Sequence, residues 1–299
     1  MEYHNPVLLK ESIEGMALKS DGIYVDVTFG GGGHSKLILE KMGESGKLFG
    51  FDQDADAEKN ALTDERFQFV AANFEYIDRF LKLYGVRQVD AILADLGVSS
   101  FQINEASRGF SYRFDADLDM RMNQGDGKTA ADVVNNYSVS ELIRIFSDYG
   151  QVRNSKTLAH NIVQQRVKKE IKTINEFIYL IEPFIKGERV KYLSVVFQAL
   201  RMEVNDEVGV LKRFLEASLK VLKPGGRLVV ITYHSVEDRV VKRFLKNGNF
   251  SGEHVKDKFG NIERPFTMIN KRVILPSKEE IRTNKRARSA KLRIAEKKK

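Results

Sequence analysis

The sequence contains no cysteine. That excludes disulfides and every Cys-based zinc site. Long apolar runs are also missing: the longest, such as Leu228–Ile231, are far too short to cross a bilayer. The opening MEYHNPVLLKE lacks the basic stretch and apolar run of a signal peptide. A cytoplasmic protein with no membrane partner is expected by elimination. No internal repeat or low-complexity linker interrupts the 299 residues, a length that suggests about two domains.

Hydrophobic residues make up 42% and charged residues 30%, as in an ordinary globular protein. The net charge of +8 is unevenly spread. From Lys271 to Lys299, 12 Lys and Arg face 3 Asp and Glu, a net of +9, so the rest of the chain carries −1. Concentrated positive charge attracts phosphate backbones through counterion release. A solvated basic tail is the plainer alternative. Arg286, Arg288 and Arg293 alternate with small and apolar residues, which reads as folded chain, with Lys297–Lys299 frayed.

The first third alternates strand and helix signals. Strands are predicted at Ile23–Val27, Leu48–Phe51, Phe67–Val70 and Val89–Leu93, with a helix at Ser35–Lys41. This alternation implies a parallel sheet covered on both faces. From about Phe101 to Asn205 strand signals become scarce. Capping boxes are predicted at Ser138/Glu141 and Thr173/Glu176, with Gly150 as a stop. The α/β pattern returns with a helix near Glu207–Leu222, the turn LKPGG, the strand Arg227–Tyr233 and a helix capped by Ser235 with Asp238. The expected division is 1–100 and 206–299 as one α/β domain, split by an inserted helical domain, 101–205, for substrate recognition.

Open parallel sheets bind ligands beyond the carboxyl ends of their strands. Asp26, Asp52, Asp95 and His234 all fall at such ends, and Asp26 precedes Gly30–Gly33. The glycine run lacks the Gly-Lys-Ser/Thr of a phosphate loop and the third glycine of a dinucleotide fingerprint. An acidic residue after the second strand suits a ribose with free hydroxyls, and a zwitterionic methionine tolerates a neighbouring carboxylate. The pattern favours S-adenosylmethionine over NAD; a tight packing turn is the plainer alternative.

At the fourth strand, DLGVSS (Asp95–Ser100) stands where amino-methyltransferases carry an Asp, Asn or Ser, usually followed by Pro-Pro-aromatic. The lone pair of an exocyclic amine is delocalised into its ring. An acceptor on its N–H favours pyramidal geometry, and alignment supplies much of the rate. Asp95 suits that acceptor role or a cofactor contact. The prolines and aromatic are missing, leaving Phe101, Phe110 and Tyr112 as base-stacking candidates, each equally readable as core. Without cysteine, the covalent route to pyrimidine C5 methylation is closed, whereas methylation of an amine or a ribose hydroxyl is not. The five histidines, among them His4 and His34, show no paired metal spacing. His234 reads either as a substrate-orienting group or proton acceptor, or as a structural residue positioning the next helix. Glu237 and Asp238 read as structural.

Together, HNPVLLKE (His4–Glu11), DVTFGGGGHS (Asp26–Ser35), DLGVSSFQ (Asp95–Gln102), RGFSY (Arg108–Tyr112), LDMRM (Leu118–Met122), ITYHSVEDR (Ile231–Arg239) and KRARSAKLR (Lys285–Arg293) resemble the MraW (RsmH) family of small-subunit rRNA cytosine N4-methyltransferases. The resemblance implies a Rossmann-like S-adenosylmethionine-dependent methyltransferase sheet split by a helical insertion. The implied substrate is a P-site cytidine of 16S rRNA in the small ribosomal subunit. It further implies cofactor contacts at Gly32, Gly33, His34, Asp52, Phe74, Asp95 and Gln102, with Phe74 flanking the adenine, and copies that can pair as a homodimer. Asp95 and His234 are the catalytic candidates. Arg108, Arg113, Arg121, Lys285, Arg286 and Arg288 are the RNA-facing candidates, with an ion pair to Asp119 as the alternative for Arg121. Ala55 stands where proline is common, and Tyr112 and Tyr233 where phenylalanine is frequent. The competing expectations are a methyltransferase of DNA amines or ribose hydroxyls, a non-catalytic rRNA-binding assembly factor, and a dehydrogenase.

Overall fold

A computed structural model describes residues 6–253 and 264–299; His4 lies outside them. The chain divides into two compact units, residues 1–97 with 208–299, and residues 98–207.

The first unit is built on seven strands: β1 (Ile23–Asp26), β2 (Lys47–Asp52), β3 (Phe67–Ala71), β4 (Val89–Asp95), β5 (Leu222–Thr232), β6 (Phe266–Met268) and β7 (Lys291–Lys297). Their order is β3-β2-β1-β4-β5-β7-β6. The neighbours from β3 to β5 pair in parallel, and β7 runs antiparallel to both β5 and β6. Strands buried on both faces should be apolar without alternation, and β4 and β5 are. Ile92 and Ala94 of β4, with Leu228 and Val230 of β5, enter one core; Ala91, Leu93, Val229 and Ile231 enter the other. The first core is covered by the helices Ile77–Leu83, Glu207–Val221 and Ser235–Asn247, through Leu81, Phe214 and Phe244 among others. The second is covered by the helices Leu9–Met16 and Gly33–Lys41, through Ile13, Met16 and Ile38.

The LKPGG segment is a bulge inside β5 and not a turn ahead of it. Val89 pairs with Leu222 and Ala91 with Arg227, so three extra residues are accommodated there, with Gly225 at φ +79°. The basic C-terminal segment is folded, as its pattern suggests, but Lys297 is not frayed. It ends β7, and its Nζ donates to the carbonyls of Leu219 and Leu222 at 2.7 and 2.8 Å.

The second unit is helical around its own core, which includes Leu142, Ile145 and Phe146 on the helix Val139–Asp148. Their i, i+3, i+4 spacing places them on one face. The boxes Ser138/Glu141 and Thr173/Glu176 both form, and Thr129/Asp132 adds a third. Each satisfies orphan N–H groups at a helix start. Gly150 lies just beyond the helix that starts after Ser138. Among the described residues no helix is long and apolar enough to cross a membrane.

Candidate active site at the strand ends

The order β3-β2-β1-β4 places Asp52, Asp26 and Asp95 at the carboxyl ends of three adjacent parallel strands. Past β1, the chain turns through Gly30 (φ +51°) and Gly32 (φ +74°) into the helix Gly33–Lys41. A side chain at either position would be strained. At Gly33 the constraint is space: a Cβ would stand 2.2 Å from Pro6 Cγ. The glycines therefore permit both the turn and a close approach.

The three carboxylates are held by the loop itself. Asp26 accepts the Ser35 hydroxyl at 2.7 Å and the Thr28 N–H at 3.1 Å. Asp52 accepts the Gly30 N–H at 2.8 Å through Oδ2 and the Asp54 N–H at 2.9 Å through Oδ1. Each oxygen of Asp52 keeps a second lone pair for a ligand hydroxyl. Asn60 closes the loop from outside by donating to the Gly30 carbonyl at 3.1 Å. The Asp95 carboxylate accepts the Tyr233 hydroxyl at 2.8 Å, and its backbone N–H donates to Thr28 Oγ1 at 2.7 Å.

Burial pushes Asp26, Asp52 and Asp95 each up to about 6, and the Asp26 charge adds to the rise at the other two. Hydrogen bonds oppose the rise at each, as does the nearby His34 at Asp95. Burial lowers the His34 imidazole, against the pull of Asp95, and its Nε2 lies 3.2 Å from the Val7 carbonyl. Burial, then Asp95, holds the Tyr233 phenol protonated, so it remains a donor. Three desolvated carboxylates round a glycine loop suit a ligand that brings positive charge and ribose hydroxyls. S-adenosylmethionine brings both; the pyrophosphate of NAD would meet like charge.

Phe74 opens a short 3-10 turn after β3 and is half-buried, its ring 5.1 Å from that of Phe214 in an edge arrangement. Gln102 belongs to the helical unit, where it completes a capping box: its Oε1 accepts the Ser99 N–H at 3.0 Å. His234 is the N-cap of the helix Ser235–Asn247, whose reciprocal carboxylate is Glu237. Glu237 accepts the N–H groups of Tyr233 and His234 at 3.0 and 3.1 Å. This corrects the expected Ser235/Asp238 cap by one residue. Asp238 instead pairs with Arg293 at 2.7 Å, their side chains 15% and 11% exposed.

The expected RNA-facing arginines divide. Arg108 is a correction: it is 3% exposed, and its guanidinium donates to the carbonyls of Arg121 and Met122 at 3.1 and 3.0 Å, so it braces the chain from within. Arg121 takes the ion-pair alternative, with Nη2 2.8 Å from Asp119 Oδ2 and Nε 2.9 Å from Oδ1. Arg113, Lys285 and Arg288 are exposed and Arg286 is half-buried. Phe110 and Tyr112 pack against the helical core, Tyr112 5.6 Å from Phe197.

Sequence reasoning missed Tyr233 as a partner of Asp95, and Thr28 and Ser35 as struts. Tyr233 had a signal: it adds a hydroxyl at the end of β5, the strand beside β4.

The sequence model of the MraW methylase family matches residues 1–298. The chain belongs to that family. Its methyl donor is accordingly S-adenosylmethionine. Among curated relatives, ribosomal RNA small subunit methyltransferase H of Parabacteroides distasonis is 56% identical over 297 residues, covering 99% of this chain and 97% of its own. The protein of that name from Bacteroides thetaiotaomicron is 56% identical over 299 residues, covering 100% and 98%. That of Flavobacterium johnsoniae is 56% identical over 298 residues, covering 99% and 98%.

Proposed function

We propose that this MraW-family methylase transfers a methyl group from S-adenosylmethionine to the exocyclic N4 amine of a P-site cytidine in 16S rRNA of the small ribosomal subunit. The observation that carries the reading is Asp95 at the end of β4: its desolvated carboxylate is fixed by the Tyr233 hydroxyl, and its backbone N–H donates to Thr28. The names of the curated relatives, rRNA small subunit methyltransferases, support the substrate class. The reading places the enzyme in the cytoplasm, where small subunits are assembled.

Bound S-adenosylmethionine supplies an electrophilic methyl on a sulfonium. Gly32, Gly33 and His34 would line its loop, Asp52 would accept ribose hydroxyls, Phe74 would flank the adenine, and Gln102 would be a further contact. Asp95 accepts one N–H of the cytosine amine, drawing its lone pair out of the ring and toward the methyl. Tyr233 keeps the carboxylate from rotating away, so little reorganisation is left for the reaction. As the N–C bond formed and the sulfonium S–C bond broke, with S-adenosylhomocysteine as the leaving group, the amine nitrogen would gain positive charge beside Asp95 and release its proton to water. His234, at the end of β5, orients the base. Without cysteine, no adduct at pyrimidine C6 forms by the thiolate route. The inserted helical segment recognises substrate, with Arg113 contacting RNA, and Lys285, Arg286 and Arg288 of the C-terminal segment contact it too.

The test is label transfer from S-adenosylmethionine to small subunits lacking base methylation, against DNA as an alternative acceptor. With cofactor at saturating concentration, RNA is labelled by the native enzyme and not by Asp95→Ala. Label in DNA alone, or full activity of the variant, refutes the reading.

A further inference from the structure

The helix Ser235–Asn247 starts at His234 and carries four cations that the RNA-facing candidates did not include. Arg239, Lys242, Arg243 and Lys246 stand at i, i+3, i+4 and i+7, which places them on one stripe. All four are exposed, whereas Val241, Phe244 and Leu245 on the other side enter the core. The stripe lines an open groove of about 440 Å³, with Asn247 and Ser251 on its wall.

No carboxylate among the described residues pairs with these cations. Asp238, next to Arg239 in sequence, is committed to Arg293 and Lys291, and Glu237 is buried against the backbone of Tyr233 and His234. Four unneutralised charges on a rigid, anchored helix face raise the local potential and attract a polyanion. From Arg239 to Lys246 the stripe is about 10 Å long at 1.5 Å per residue. That is about three nucleotides of a stacked strand at 3.4 Å each.

We infer that the Arg239–Lys246 stripe and its groove form a docking surface for the phosphate backbone of the substrate RNA, on the helix that begins at the candidate catalytic His234. The inference rests on the RNA-methyltransferase reading above and names a surface it did not assign. The tail contacts at Lys285–Arg288 are separate from it in sequence.

The test is binding of fluorescent small-subunit rRNA across a salt series, comparing the native protein with the variant Arg239→Ala, Lys242→Ala, Arg243→Ala, Lys246→Ala. All four sites are exposed and alanine favours helix, so the fold should persist; unchanged S-adenosylmethionine affinity verifies it. Losing four phosphate contacts makes the slope of log K against log salt shallower by about 3, and affinity at moderate salt falls at least about tenfold. The charge-preserving pair Arg239→Lys, Arg243→Lys retains most of the affinity and the slope. Native-like affinity and slope in the quadruple variant overturn the inference. So does a loss of affinity with the slope unchanged, since phosphate contacts must move both. If the native protein binds no rRNA, the functional reading itself fails, an outcome distinct from a variant that binds as well as native.

Discussion

Acidification should weaken S-adenosylmethionine binding steeply. Burial penalises the charged forms of Asp26, Asp52 and Asp95 and pushes each up to about 6. A carboxylate of that pKa is about nine-tenths ionised at pH 7 and about one-tenth at pH 5. The ligand's own carboxylate (about 3.5) and amine (about 8) keep their charges across that window. Its positive charge favours ionised partners, so affinity should fall about tenfold from pH 7 to pH 5 for each carboxylate that must be ionised, and about a hundredfold for two. Stability of the ligand-free protein has the opposite sign. These groups have pKa values raised above the unfolded value of about 3.9, so their contribution is fully present below about pH 4 and is lost as pH rises through about 6. Calorimetric titrations at constant ionic strength would measure the affinity and, in buffers of different ionisation enthalpy, the protons released near pH 6. Asp52→Asn should bind more weakly at pH 7 with a flatter profile. Affinity constant within about twofold between pH 5 and pH 7 would refute the reasoning, because no shifted carboxylate would then be linked to binding.

Further outcomes follow from the same geometry. Tyr233→Phe removes the hydrogen bond that lowers Asp95, so the acid limb of the kcat profile should move to higher pH; an unmoved limb would separate Tyr233 from the chemistry. Arg293→Met leaves Asp238 partly buried with only Lys291, 3.8 Å away. It should cost roughly 2–4 kcal/mol in denaturant unfolding, somewhat less than a fully buried broken pair. Replacing Lys285, Arg286 and Arg288 with alanine should mainly weaken RNA binding and flatten its salt dependence, with cofactor binding intact; an unchanged salt slope would remove the tail from the interface.

The strands of the central sheet were legible because each is a short apolar run ending in a polar residue, and Asp26, Asp52 and Asp95 mark those ends. Boxes such as Ser138/Glu141 were legible because a cap is a local contact three residues long. The antiparallel insertion of β7 between β5 and β6 was not, since it joins β7 to segments some 60 and some 30 residues away that carry no local sign of their pairing. The LKPGG bulge was read as a turn because Pro-Gly-Gly looks the same in either setting until the pairing partner is known. Arg108 and Arg121 looked like RNA contacts because charge is visible in sequence and burial is not. The Arg239–Lys246 stripe was masked by Glu237 and Asp238, which offset half of its charge along the chain while lying elsewhere in space. Tyr233 was seen only as an aromatic exchange; its value as a donor to Asp95 depends on β4 and β5 being neighbours.

The most direct measurement is the identity of the methylated nucleoside. Small subunits lacking base methylation would be incubated with the purified protein and labelled S-adenosylmethionine, their RNA digested, and the nucleosides separated and weighed. The account predicts label in N4-methylcytidine, lost with Asp95→Ala. Label in a ribose-methylated or C5-methylated nucleoside, or none while the cofactor is bound, would contradict it.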